Sequence, residues 1–274
     1  MVNGSMITFP NAKINLGLNI VSKRPDGYHN IETVFYPVRL YDVLEIVSAA
    51  NGTTTFTQTG IPLGGDPEKN LVLKAYRLLQ ENHTVPEIDI YLQKNIPFGA
   101  GLGGGSSDAA FMLKMMNDFA DLHISNKRLG KYASQLGADC AFFIQNRPVF
   151  AEGIGNIFSP VSAPLRGYFL IIVKPDIPVS TQEAYARITP QSPQESILDI
   201  VGCPVETWKN RLVNDFETGV FAQFPEINII KEKLYEKGAI YASMSGSGSS
   251  VFGIFGTPEC LESEFPGATV YACY

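Results

Sequence analysis

The chain has 274 residues, 45% of them apolar and 18% charged, which is ample for a buried core and argues against disorder. Its 21 Lys and Arg against 27 Asp and Glu leave a formal net charge of -6, so no broad basic face for nucleic acid or an anionic membrane is expected. The longest aliphatic and aromatic run, around Phe169 to Val173, is far short of the ~20 residues that a membrane span needs. The start, MVNGSMITFP, has neither the charged n-region nor the apolar h-region of a secretory signal. A cytoplasmic globular protein is the expectation, with Met1 to Ser5 read as an added leader before Met6. Cys140, Cys203, Cys260 and Cys273 form no C-x-x-C pair, so buried free thiols are expected rather than disulfides or a thiolate zinc site. His29, His83 and His123 are too scattered for an evident metal site.

Strand-like and helix-like runs alternate along the chain. Ala12 to Ile20 alternates, with Ile14, Leu16, Leu18 and Ile20 on one face, and reads as a strand. Val43 to Val47 and Thr53 to Thr57 are further strands, separated by the turn-prone Asn51-Gly52. Asp66-Pro67-Glu68 predicts a helix start, with Leu71, Val72, Ala75, Leu78 and Leu79 as its apolar stripe. Ile88, Ile90 and Leu92 alternate again as a strand that ends at Pro97. The loop PFGAGLGGGSS follows, with five glycines in eleven residues, and then an apolar helical run that Ser106, Ser107 or Asp108 is placed to cap. Lys127 to Leu136 predicts a helix ending at Gly137. Arg147 to Gly167, rich in Gly and Pro, is the candidate domain boundary, dividing the chain into 1–158 and 159–274. Beyond it come a buried-type strand at Tyr168 to Val173 and a helix carrying Tyr185 behind the capping-box spacing of Ser180 to Glu183. Ile227 to Leu234 predicts a helix stopped by Gly238, and strands Ile240 to Met244 and Val251 to Phe255 flank SGSGSS. The expected class is α+β in two lobes.

A strand, a glycine loop and a helix start in succession form an anion-binding arrangement. Helix starts leave N–H groups unpaired and carry partial positive charge, and glycines let the backbone approach a ligand. Gly99, Gly101 and Gly104 match G-x-G-x-x-G, but no acid ends a second strand ~20 residues later, as a dinucleotide fold requires. The G-K-[ST] of a P-loop and the H-R-D and D-F-G of protein kinases are absent from the sequence.

PFGAGLGGGSSDAA resembles the nucleotide-binding motif P-x-x-x-G-L-G-[SG]-[SG]-[SG] of the GHMP small-molecule kinases. FPNAKINLGLNI, from Phe9 to Ile20, resembles that family's first motif, and SMSGSGSSVFGIF, from Ser243 to Phe255, its third. KRPDGYHNIET and LGADCAFFI are similar to the branch of the family that acts on a cytidine-diphosphate-linked alcohol. The resemblance implies a two-lobed GHMP kinase fold: an N-terminal ATP-binding lobe like ribosomal protein S5 domain 2, over 1–158, and a C-terminal α/β sandwich over 159–274. It implies ATP as phosphoryl donor, Mg2+, and a small substrate carrying cytidine diphosphate. No nucleic acid, membrane or obligate protein partner is implied.

Through the same resemblance, Lys13 and Asp139 match the catalytic lysine and aspartate, with Asp139 accepting the hydroxyl proton and Lys13 steadying negative charge. Tyr28 would stack on the cytosine, His29 would hydrogen-bond its edge, and Tyr185 would close the other side. Asn15, two residues from Lys13, would share its strand face and reach substrate hydroxyls. Pro97, Phe98, Gly99, Ala100, Gly101, Leu102, Gly103, Gly104, Gly105, Ser106 and Ser107 would cradle the ATP phosphates, with Ser107 also a candidate Mg2+ ligand. Asn70 and Lys94 match the adenosine end, and Gly246 and Gly248 would bring backbone to the substrate. One departure stands out: Asp108 replaces the Asn that often follows the two serines.

Overall fold

A computed structural model of the chain describes residues 4–62, 64, 66–163 and 165–273, so Met1 to Asn3 of the expected leader lie outside the described residues. In chain order the first strands are β1 (Ser5–Thr8), β2 (Asn11–Lys23), β3 (His29–Tyr41), β4 (Val43–Ser48), β5 (Thr55–Gly60) and β6 (Ile88–Lys94). Then come β7 (Val149–Glu152), β8 (Ile157–Pro160), β9 (Phe169–Pro175), β10 (Tyr241–Met244), β11 (Val251–Phe255) and β12 (Ala268–Cys273). The helices are α1 (Leu71–Asn82), α2 (Gly104–Phe119), α3 (Asn126–Leu136), α4 (Cys140–Gln145), α5 (Thr181–Ala186), α6 (Ile197–Val201), α7 (Phe216–Gln223) and α8 (Pro225–Glu236). Two compact units result. One holds the chain up to Ala12 with Leu40–Phe98 and Gly103–Arg147; the other holds Lys13–Arg39, Gly99–Leu102 and the chain from Pro148.

The first unit is built on a sheet of order β1-β4-β6-β5. Asn51-Gly52 does not close a hairpin: β4 pairs with β6 antiparallel and β5 pairs with β6 parallel, so the two strands lie on opposite sides of β6. A parallel neighbour needs a long crossover, which α1 supplies. The predicted helix start also moves. Asp66 caps a single 3-10 turn at Pro67–Lys69, and α1 begins at Leu71, where Asn70 Oδ1 accepts the Val72 N–H at 2.9 Å. Its buried stripe is Val72, Leu73, Ala75, Tyr76 and Leu79. Helix α2 packs against α1, α3 and α4.

The second unit contains two sheets, β2-β3-β7-β8 and β10-β11-β9-β12. Leu18 and Ile20 of β2, Ile171 and Val173 of β9, Phe216 of α7, and Ile227 and Leu234 of α8 meet in one core. Each such apolar side chain, fully buried, contributes roughly 1.5–3 kcal/mol. Arg147 to Gly167, read from its glycines and prolines as a boundary segment, carries β7 and β8, which pair with each other while β7 pairs with β3. Two four-residue strands between turn residues leave too short an alternation to stand out. Cys140 and Cys273 are buried free thiols as expected, whereas Cys203 is half-buried and Cys260 exposed, because Cys260 sits in a charged surface turn beside Glu262. Among the described residues, no helix is long and apolar enough to cross a membrane.

Candidate active site

In the first unit, β6 leads into the glycine loop and α2 leaves it. None of Ser106, Ser107 and Asp108 is the helix cap: Gly103, at φ 71°, holds that position, and the three lie inside the first turns. A left-handed cap is a position glycine adopts without steric cost, and it lets the helix begin within the glycine run. Gly104, Gly105 and Ser106 thereby become the first residues with unpaired N–H groups, while the Ser107 N–H already bonds the Gly103 carbonyl at 2.9 Å. Cys140 packs close to this turn. A Cβ on Gly137 would lie 3.3 Å from Cys140 Sγ and 4.0 Å from Ser106 Oγ. Burial pushes the Cys140 thiol up to about 11, against a hydrogen bond with Ser106, so it is a protonated packing group rather than a nucleophile.

Asp139 precedes α4, and its side chain makes no capping hydrogen bond to that helix. Asp139 is half-buried. Asn70 spends its side-chain oxygen on capping α1. Lys94 is buried and ion-paired to both Asp42 and Asp108. Burial raises the Asp108 carboxyl above the usual range, the Lys94 ammonium opposing that shift and Asp42 adding to it.

In the second unit three distant segments converge. Lys13 Nζ donates to Asn15 Oδ1 at 2.7 Å and lies 5.0 Å from the centre of the Phe35 ring. Both polar side chains are buried, on the strand face expected from their spacing. Asn15 Nδ2 donates to Thr33 Oγ1 at 3.0 Å, and the Asn15 N–H donates to Ser245 Oγ at 3.3 Å. The Lys13 N–H bonds the Leu102 carbonyl at 2.9 Å and the Ser250 N–H bonds the Ala100 carbonyl at 3.3 Å. The strand of Lys13, the middle of the glycine loop and the SGSGSS turn thus form one framework. A Cβ on Gly246 would lie 3.4 Å from Asn15 Oδ1.

The Arg24 to Tyr28 turn is closed at its base, with the Arg24 N–H bonding the Tyr28 carbonyl at 2.8 Å and Asp26 Oδ1 accepting the Tyr28 N–H at 3.1 Å. Tyr28 is left 62% exposed, free of any core duty. His29 does not stand apart from Tyr185: their rings stack at 4.9 Å between centres and 19° between planes. Tyr185 in turn meets Phe216 edge-on. Burial, with Lys23 adding, holds the His29 imidazole below its ordinary value, which keeps it neutral at pH 7.

Two features escaped the sequence reading. Asn214 is buried, and its Nδ2 donates to the Met244 and Gly246 carbonyls at 2.8 and 2.9 Å, fixing the third glycine turn. Nothing in the local run RLVNDFE singles it out, because its partners are some thirty residues away. Asp42 and Asp108 also escaped as partners of Lys94. The signal there was legible: Lys94 occupies the buried parity of β6 after Ile88, Ile90 and Leu92.

The chain matches the family described as GHMP kinases N terminal domain over residues 70–147 and that described as GHMP kinases C terminal over 206–265. It belongs to the GHMP kinase family. A curated 4-diphosphocytidyl-2-C-methyl-D-erythritol kinase of Bacteroides fragilis is 60% identical over 256 residues, covering 93% of each chain. One of the same name from Bacteroides thetaiotaomicron is 56% identical over 271 residues, covering 98% of each. A crystal structure of 4-(cytidine 5'-diphospho)-2C-methyl-D-erythritol kinase superimposes with a TM-score of 0.80 at 30% identity, over 98% of both chains.

Proposed function

We propose that this chain phosphorylates 4-diphosphocytidyl-2-C-methyl-D-erythritol at its tertiary 2-hydroxyl, with ATP as donor, in the cytoplasmic non-mevalonate route to isoprenoid precursors. The observation that carries the reading is 60% identity, over 93% of both chains, to a curated enzyme of that name. The Lys13, Asn15, Gly101 and Ser245 framework is consistent with it.

Phosphoryl transfer has a loose transition state, so positioning and charge neutralisation carry most of the catalysis. On this reading Asp139 accepts the proton of the 2-hydroxyl as its oxygen bonds the γ-phosphorus. The bond from that phosphorus to the bridging oxygen breaks, and ADP leaves with the electron pair. Lys13 contributes a cation to the charge that develops on the equatorial oxygens. The N–H groups of the glycine loop and of the first turn of α2 bind the phosphates. Asn70 serves the nucleotide end, while Tyr28, His29 and Tyr185 recognise cytosine. Asn15, Gly246 and Gly248 border the alcohol.

Magnesium fits this donor set. Ser107 Oγ is buried without a hydrogen-bond partner among the described residues and is a hard oxygen donor at a phosphate-binding turn. No cluster of three His, Cys, Asp or Glu side chains that could hold a metal occurs among the described residues. Mg2+ needs none, since it is bound mainly by one or two protein oxygens, phosphates and water. When bound it neutralises charge on the phosphates.

Release of ADP, measured with and without the diphosphocytidyl alcohol, tests the reading. Mevalonate and homoserine are the controls. Turnover of either control in preference to the cytidine substrate would move the assignment elsewhere in the family.

A further inference from the structure

At the end of β6 one ammonium gathers both flanks of the glycine loop. Lys94 Nζ pairs with Asp42 Oδ2 and, at 2.7 Å, with Asp108 Oδ2. The other Asp42 oxygen accepts the N–H groups of Asn95 at 2.6 Å and Ile96 at 2.8 Å, the residues that lead into Pro97. On the far flank, Asp108 lies four residues beyond Gly104 and so shares its helix face. A Cβ on Gly104 would lie only 3.3 Å from Lys94 Nζ. The entry to the loop is therefore held through Asp42, and its exit through Asp108 and the bare Cα of Gly104.

All three residues are at most 2% exposed. Buried ion clusters seldom stabilise a fold more than apolar side chains of the same volume would, because desolvation offsets the attraction. What they add is directional: both Asp42 oxygens and Asp108 Oδ2 have set partners, while Asp108 Oδ1 has none among the described residues. Asp42 spends both oxygens, one on Lys94 and one on the backbone of the loop entry.

We propose that Lys94 is a positioning residue for the nucleotide: through Asp42 and Asp108 it fixes the span between Ile96 and Gly104, so that the loop's N–H groups stay aimed at the phosphates, without itself touching the nucleotide. This rests on the reading that the glycine loop holds ATP phosphates, and the test separates the two.

Dissociation constants for ATP, ADP and adenosine, together with melting temperature and KM for each substrate, are measured for the parent, Lys94→Met, Asp108→Asn and Asp108→Leu. Lys94→Met keeps the volume and removes the tie. It is expected to weaken ATP and ADP by about tenfold to a hundredfold, the scale of a small misplacement. Adenosine affinity and KM for the alcohol stay within twofold of the parent, about the scatter of such measurements. Asp108→Asn, which retains an oxygen for the ammonium, recovers most of the ATP affinity that Asp108→Leu loses. A folded Lys94→Met with parental ATP affinity overturns the proposal, as does an equal loss for adenosine, which signals direct contact. If Lys94→Met does not fold, equal ATP affinity in the two Asp108 variants overturns it. If the parent itself binds no ATP, the reading of the loop has failed, and that failure appears before any variant is made.

Discussion

The carbonyl oxygen of Ser245 lies 1.9 Å from where a Cβ on Gly101 would sit, and Ser245 Oγ donates back to the Gly101 carbonyl at 2.8 Å. Gly101 also has φ of +76°, a conformation that any other residue pays for at roughly 1–2 kcal/mol. Gly101→Ala must therefore separate the second motif from the third. The expected outcome is a folded protein, with its melting temperature lowered by several degrees and turnover reduced by at least about a hundredfold. Parental activity in the alanine variant would show that the contact is not needed for the reaction.

Asp139→Asn isolates chemistry from folding. Asn keeps the size of Asp and one carbonyl oxygen, so the variant should lose no more than about 1 kcal/mol of stability in a denaturant titration. Turnover should fall by about a thousandfold or more, while ATP affinity measured by calorimetry is retained, as expected for a group that acts in the transfer step. Turnover within tenfold of the parent would remove Asp139 from the mechanism.

Tyr28, proposed above to stack on the cytosine, has no part in the core. At 62% exposure its truncation leaves the core intact, so Tyr28→Ala should melt at the parental temperature. Affinity for CDP should drop by roughly 1–3 kcal/mol, the value of one base-stacking face. An unchanged CDP affinity rejects the stacking role.

The pH dependence of cytidine recognition should follow His29. Its imidazole lies below the ordinary 6.5, with burial the main cause, so the folded chain binds that proton less readily than the unfolded chain does. The stability this contributes is therefore full above 6.5 and is lost as the pH falls below it. A neutral ring also offers one N–H and one acceptor nitrogen to a base edge, and protonation removes the acceptor. CDP affinity is thus expected to be flat from about pH 7 to 8 and to decline below about pH 6, with the decline absent in His29→Asn. An acid limb that persists in the variant would assign the titration to another group.

Local periodicity made much of the fold legible. The alternation of Ile14 to Ile20 and of Ile88 to Leu92, the capping spacing at Ser180 and the stop at Gly238 each match an observed boundary within a few residues. Such patterns survive because a strand or a helix must bury one face wherever it ends up. Short strands such as β7 and β8 were hidden, since four residues carry too little alternation. The helix cap was misplaced from Ser106, Ser107 or Asp108 to its actual position at Gly103, because the propensity of hydroxyls for caps says nothing about a glycine already held at positive φ.

Sequence by itself determined the chemistry available: a strand, a loop of bare backbone and a helix start, with Lys13 and Asn15 spaced to share a face. Tertiary structure alone decided which distant groups those residues meet. Ser245 against Gly101, Asn214 beneath the third turn, His29 on Tyr185 and Asp42 on Lys94 are separated by between 30 and 156 positions in the chain. The physical reason is that periodicity reports only which face of an element is buried. The partner found there is set by how whole elements pack, and no residue's immediate neighbours encode it.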